Sequence, residues 1–259
     1  MKKEYYFPFG QKLRKVEQED KNPKDAFVLG VYASAVHATW IDEKGKQLIP
    51  ALAVASEPEI FWRGENAEEI IKFITIPEKL GKLIPARNKN LNGPSAKALD
   101  DLYLTPLGLN RQNTWLCDLL PESRMNMKQK NAIEKHYNKF VSLNRVPPVT
   151  IPVFDKKELN SESRRKEIYK ELKASKANTI ILLGDEPIKY FLKSKEFKKL
   201  SDFGDTDEEY GQEHEIEIEG NAFTVIPLCH PRNAGKFGAH SPKWHDRHMK
   251  WVDNKTKNL

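Results

Sequence analysis

Apolar and polar positions alternate along this chain in two rhythms, one close to the period of a helix and one that marks strands. The clearest unit runs from residue 154 to residue 194, FDKKELNSESRRKEIYKELKASKANTIILLGDEPIKYFLKS. Ile168 and Leu172, four apart, mark the inward stripe of a helix opened by a capping-box pattern of Asp155 with Glu158. The β-branched run TIILLG (179–184) fits a strand covered on both faces, and DEPIKYFLKS returns to helical spacing. Elsewhere, Ala26 to Leu29 reads as a buried strand meeting a tight turn at Gly30, and NTWLCDLLP (113–121) as a second apolar strand. GPSAKALDDLYLTPLGL predicts a helix from about Ser95, with Leu99 and Leu102 inward and Pro106 closing it. In HEIEIEGNAFTVIPL, Ile216 and Ile218 alternate with glutamates, the chain turns at Gly220-Asn221, and an apolar strand follows. SPKWHDRHMKWV places Trp244, His248 and Trp251 on one helix face, with Ser241 as N-cap and Pro242 in the first turn. Residues 40–92, punctuated by Pro50, Pro58, Pro77 and Pro85, hold one short amphipathic helix in ENAEEIIKFI, with Ile70, Ile71 and Ile74 on a stripe.

Strands alternating with helices predict an α/β fold with a mostly parallel sheet and helices on both sides. In such sheets ligands bind beyond the carboxyl ends of the strands. Three of those ends carry polar loops: Gly30 to His37, Asp118 to Asn126, and His230 to Asn233. No internal repeat or low-complexity tract interrupts the pattern.

Composition adds three constraints. At 259 residues and 39% hydrophobic, the chain has enough apolar material for a real core. No run approaches 18 apolar residues, and charges occupy the N-terminal stretch where a signal peptide needs an apolar segment, so a soluble cytoplasmic protein without membrane association is expected. Two cysteines, Cys117 and Cys229, argue against a disulfide scaffold or a four-cysteine zinc or iron–sulfur site. The net charge is +6, but residues 201–219 carry nine Asp or Glu and no Lys or Arg, which leaves +15 for the rest. Such a surface suits a polyanion. His240, His245 and His248 match no familiar metal-ligand spacing, so no metal is expected; their helix reads instead as a basic, aromatic face for phosphates.

The order of these pieces resembles the uracil-DNA glycosylase superfamily: a strand into a Gly-led loop, the block LNGPSAKALDDLYLTPLGLNRQNTWLCDLLPESRMN, then TIILLGDEPIKYFL, then a strand into HPRN. The resemblance covers residues 26–252 and is most specific in the long block. It implies a three-layer α/β/α sandwich in a single domain over 1–259, with an insertion at about 40–85 and an acidic hairpin region at about 201–222. It implies a protein that flips a base out of DNA, single-stranded or damaged DNA included, and hydrolyses the N-glycosidic bond without a cofactor. His230 matches the histidine that donates a hydrogen bond to the departing base. Pro231, Arg232 and Asn233 match residues that enter the minor groove, and Lys236 follows them as a further nucleic-acid contact. Gly30, Tyr32, Asp118 and Asn126 are the expected base-binding residues. Asp118 stands about where relatives read the base edge with asparagine, and an ionised carboxylate only accepts hydrogen bonds. The loop GVYASAVHATW departs from the pattern, because no carboxylate or amide occupies it; Ser34, His37 and Thr39 are its polar side chains. Either His37 acts as general base, with Ser34 beside it, or hydrolysis is weak or absent. Leu91 replaces the stacking aromatic of relatives, leaving Tyr32, Trp40 or Trp62 as platforms. The alternatives are a nucleic-acid-binding member without catalysis and a hydrolase of free nucleosides or nucleotides.

Overall fold

The computed structural model describes residues 4–257. Its strands are β1 (Ala26–Tyr32), β2 (Ala35–Ile41), β3 (Gln47–Ser56), β4 (Lys82–Pro85), β5 (Thr114–Leu120), β6 (Thr179–Leu183), β7 (His214–Ile218) and β8 (Asn221–Leu228). Its α-helices are α1 (Ala67–Lys72), α2 (Pro94–Leu99), α3 (Met127–His136), α4 (Asn138–Ser142), α5 (Glu162–Ser175), α6 (Asp185–Pro187), α7 (Pro231–Ala234) and α8 (Pro242–Thr256). They gather into two compact units, one of Met1–Val16, Ala33–Pro94 and Glu122–Asp155, the other of Glu17–Tyr32, Ser95–Pro121 and Lys156–Leu259. The stretch 40–85, expected as an insertion, lies wholly inside the first. Among the described residues no helix is long and apolar enough to cross a membrane.

The second unit is α/β, built on a five-stranded, mostly parallel sheet of order β5-β1-β6-β8-β7. β1 runs parallel to β5 and β6, β6 runs parallel to β8, and only the edge strand β7 is antiparallel. β5 is buried along its whole length, and Ile180 to Leu183 of β6 likewise, as their continuous apolar runs require. In chain order the parallel strands are β1, β5, β6 and β8, so the direction of winding reverses between β1 and β6; the crevice for ligands in such a sheet opens at that reversal, beyond the carboxyl ends.

Three local expectations change here. α5 begins at Ser161, whose Oγ accepts the Arg164 N–H at 3.3 Å, while Asp155 and Glu158 precede it around a 3-10 turn over Lys156–Asn160. The hydroxyl immediately ahead of the periodic stretch is the better cap. The β7–β8 hairpin turns on Glu219-Gly220, one residue earlier than Gly220-Asn221, with both residues at positive φ (49° and 76°) and Ile218 paired to Asn221. That is the backbone of a tight two-residue turn whose twist suits a hairpin. After Leu99 the helix widens into a π turn over Asp100–Leu104, which rotates the inward face; Tyr103 and Leu104 are buried and Leu102 is half-buried.

The first unit carries an antiparallel sheet of order β3-β2-β4. The expected loop from Gly30 to His37 is instead the end of β1, a short break at Ala33 and Ser34, and the start of β2. Val36, Ala38 and Trp40 alternate into a core where Trp40, Phe9 and Tyr137 meet edge to face with ring centres 5.3 to 5.9 Å apart. Trp40 Nε1 donates to the Leu80 carbonyl at 2.7 Å. α1 turns Ile71 into this core, with Ile74 beyond its end and Ile70 at the margin.

Candidate functional site

The expected site residues divide between the units: Ser34, His37 and Asn126 belong to the first, and Gly30, Tyr32, Asp118, His230, Pro231, Arg232, Asn233 and Lys236 to the second.

In the second unit the carboxyl ends of four strands supply the polar groups. β6 ends at Gly184, whose N–H donates to the Leu228 carbonyl at 2.8 Å. Gly184 sits at φ 94°, ψ −174°, a conformation open essentially to glycine alone, and a Cβ there would lie 3.4 Å from the Cβ of His230. His230 follows β8 and caps α7, its Nδ1 accepting the Arg232 N–H at 3.1 Å. Burial, helped by the Arg232 charge, lowers its pKa to about 4, so the ring is neutral at pH 7. With Nδ1 accepting, the proton sits on Nε2, and Nε2–H is the only donor the ring has.

The residue before it is clamped. The Tyr103 hydroxyl donates to the Cys229 carbonyl at 2.7 Å, and the Cys229 N–H donates to the Tyr210 hydroxyl at 2.9 Å. His248 donates from Nε2 to the Leu102 carbonyl at 2.9 Å, so its Nδ1 accepts from the Tyr210 hydroxyl at 2.7 Å. Burial lowers the His248 pKa to about 4, which keeps that arrangement neutral. Both polar atoms of the Cys229 backbone are therefore fixed by Tyr103 and Tyr210, which no sequence motif singles out; the 3–4 spacing of Trp244, His248 and Trp251 marks the helix face without its destination.

Asp118 pairs with Gly30 across β5 and β1, and Tyr32 pairs with Leu120 two residues on, so Gly30, Tyr32 and Asp118 share one face of the sheet. α5 covers the other face: Arg164 reaches Cys117 Sγ at 3.4 Å and Glu171 accepts from Trp115 Nε1 at 3.4 Å. Asp118 is 4% exposed, and its carboxyl makes no hydrogen bond among the described residues. Arg164 donates to the Asp118 carbonyl at 2.8 Å and to Glu171 at 2.9 Å, not to that carboxyl. Burial raises the Asp118 pKa to about 7, opposed by Arg164 and assisted by Glu171. Tyr32 is 42% exposed at the end of β1; burial raises its pKa, and Arg232, Asp118 and Glu186 all act on it electrostatically. Of the three aromatics expected as platforms it is the exposed one, since Trp40 and Trp62 are core residues of the first unit.

The loop after His230 is only partly available. Asn233 accepts the Ser241 N–H on Oδ1 at 3.0 Å, Pro231 is buried, and His245 donates to the Ala234 carbonyl at 2.7 Å. Arg232 and Lys236 are exposed and form no ion pair among the described residues. The basic face expected on α8 is turned to other use: Asp205 takes Lys243 and Arg247, Asp207 takes Arg247 and Lys250, and His248 is buried. Three of the nine acids in 201–219, Asp205, Asp207 and Glu219, which pairs with Arg165, are thus neutralised inside their own unit.

In the first unit, His37 is buried on β2. Gln129 Oε1 accepts the Asn126 N–H, so its Nε2 donates to His37 Nε2 at 2.9 Å, and His37 Nδ1 is enclosed without a hydrogen-bond partner. Burial lowers its pKa to about 4. Asn92 grips the His37 backbone from both sides, accepting its N–H at 2.7 Å and donating to its carbonyl at 2.9 Å. Asn126 is the N-cap of α3, its Oδ1 accepting the Gln129 N–H at 2.9 Å. Ser34 is exposed; its N–H donates to Glu57 Oε1 at 3.0 Å and its carbonyl accepts from Ser123 Oγ. Glu57, 2% exposed, places a carboxylate at the loop whose own sequence has none. The β2–β3 register, with Ala35 opposite Ser56, puts it there.

Compared with known proteins, the chain matches no family model and no curated sequence.

Proposed function

We propose that the chain binds nucleic acid and holds one extruded base at the carboxyl edge of the parallel sheet of its second unit, as a protein of uracil-DNA glycosylase type with a three-layer α/β/α sandwich. The observation that carries this reading is His230, a neutral imidazole whose tautomer is fixed by the Arg232 N–H and whose Nε2–H is free to donate. A base that leaves a sugar departs as an anion, and a neutral donor positioned in advance stabilises it without having to surrender a full proton. Tyr32 supplies a ring face for stacking, worth roughly 1–3 kcal/mol per base in single-strand sites. Arg232 and Lys236 supply unpaired cations for the backbone. Extrusion costs a few kcal/mol, a sum that stacking and two phosphate contacts can offset.

One observation favours binding without hydrolysis. His37 offers no free basic nitrogen, because Nε2 already accepts from Gln129 and Nδ1 carries the proton. The test is to incubate end-labelled single- and double-stranded oligonucleotides carrying uracil, hypoxanthine, xanthine or a mismatch, and then cleave abasic sites with alkali. Cutting that exceeds a His230→Ala control establishes the glycosylase. Salt-dependent binding with no cutting establishes the binding protein, and no salt-dependent binding of any oligonucleotide removes both.

A further inference from the structure

The sheet of the second unit has two edges, and they are finished differently. On β5, the Gln18 side chain accepts the Leu116 N–H at 3.1 Å and so occupies a donor of that edge. On β7, no group outside β8 bonds the backbone among the described residues. The hairpin decides which backbone groups are left over. Its two-residue turn makes Ile218 and Asn221 a hydrogen-bonded pair, and in an antiparallel ladder such pairs alternate with pairs that exchange no hydrogen bond. Ile216 with Phe223 is therefore bonded, while Glu217 beside Ala222 and Glu215 beside Thr224 aim their N–H and C=O away from β8. The side chains divide in the same way. Ile218, Phe223 and Val225 are buried on one face, whereas Glu215 and Glu217 are exposed on the other, about 7 Å apart along the strand. Neither glutamate forms an ion pair among the described residues, and nor does Glu213 before them, although Asp205, Asp207 and Glu219 of the same segment do. Open backbone donors and acceptors thus belong to the residues whose carboxylates lack a counter-charge.

We propose that β7 is a docking edge for an extended basic segment of another protein, with Lys or Arg at alternate positions, which adds a sixth strand to the sheet. The incoming strand bonds the N–H and C=O of Glu215 and Glu217, and the residues directly opposite them project from the same face, within reach of the carboxylates. Two cations spaced two residues apart therefore meet two glutamates in register. A second copy of this chain does not fit, because β7 against β7 sets glutamates opposite glutamates. Nucleic acid does not fit either, since its phosphates would meet the same carboxylates. The inference is independent of the base-binding reading above. Charged edge strands also serve to keep sheets from joining, and that role predicts no partner at all.

The experiment follows amide exchange and chemical shifts of the full chain by NMR with a blocked peptide, Thr-Lys-Val-Lys-Val-Lys-Thr. In the free protein the Glu215 and Glu217 amides should exchange fast and those of Ile216 and Ile218 slowly; saturating peptide should slow the two glutamate amides by at least tenfold. In the bound strand the lysine N–H groups face β7 and the valine N–H groups face away. N-methylation of the lysines should therefore weaken binding about three- to tenfold for each hydrogen bond lost, at unchanged charge, and N-methylation of the valines should leave it within about twofold. Glu215→Gln and Glu217→Gln should each weaken binding about two- to fivefold. The double variant Glu215→Lys, Glu217→Lys should bind the peptide with glutamates in place of lysines and reject the original. The exchange measurement uses the natural chain, so it does not depend on any variant folding. Glutamate amides already protected in the free protein, no binding of the peptide, or equal loss with either methylated peptide would overturn the proposal.

Discussion

Replacing Asp118 with asparagine exchanges an ionisable carboxyl for a neutral amide of the same shape, so its effect on stability isolates the cost of a buried charge. In the unfolded chain the carboxyl loses its proton near 3.8; in the folded chain it keeps it to about 7. Between those values the folded state binds more protons, so the contribution of Asp118 is fully present below pH 3.8 and is lost as the pH rises through 7. Each pH unit between the two is worth about 1.4 kcal/mol, which makes the ionised carboxyl about 4 kcal/mol less favourable at pH 8 than at pH 4. Relaxation and water entry make that a ceiling. Urea unfolding of the natural chain and of Asp118→Asn, followed at pH 4.5, 6 and 8, should show the variant gaining stability up to about pH 7 and then levelling off, by about 3 kcal/mol at pH 8 relative to near equality at pH 4.5. An advantage that is the same at pH 4.5 and pH 8, or a loss at pH 8, would refute the account of a carboxyl buried without a partner.

The histidines give the opposite slope. His37 and His248, both lowered from 6.5 to about 4, should each remove about 3 kcal/mol as the pH falls from 6.5 to 4, and replacing either with glutamine should flatten that limb in urea titrations. Gly184→Ala should cost about 1–3 kcal/mol for the backbone alone and should displace the His230 ring signals in NMR, because its Cβ meets that of His230. Tyr210→Phe leaves the buried Cys229 N–H unpaired and should cost about 1–3 kcal/mol in denaturant unfolding, with a changed His230 amide shift. Arg232→Ala and Lys236→Ala should weaken oligonucleotide binding alike for all sequences, each reducing the slope of log affinity against log salt by about one in an anisotropy titration.

The parallel strands were legible because burial on both faces demands continuous apolar runs, and TIILLG, NTWLCDLLP and TVIPL are such runs. α8 was legible from Ser241-Pro242 and the spacing of its tryptophans. The first unit's sheet was not. In GVYASAVHATW the inward residues are Val36, Ala38 and Trp40, two of them small, so the alternation that makes β2 a strand is faint beside the polar His37 and Thr39. Missing β2 and β3 hid Glu57 as well, since only their register brings it to Ser34. The α8 cations were misassigned because periodicity shows which residues share a face but not what that face meets; the partners, Asp205 and Asp207, lie some 40 residues upstream. His230 was legible as a residue, while its tautomer depends on the Arg232 N–H, a backbone contact that composition does not carry.

The interleaving of the two units along the chain sets the timetable of their assembly. β1 is complete at Tyr32, yet its neighbour β6 begins only at Thr179. At roughly 5–20 residues per second a ribosome needs about 7–30 s to make the stretch between them. The first unit has all of its chain by Asp155, before β6 exists, and so can close while β1 still lacks half of its partners. For that interval an apolar strand in the middle of the future sheet stands paired on one side only, with its other edge open on the nascent chain.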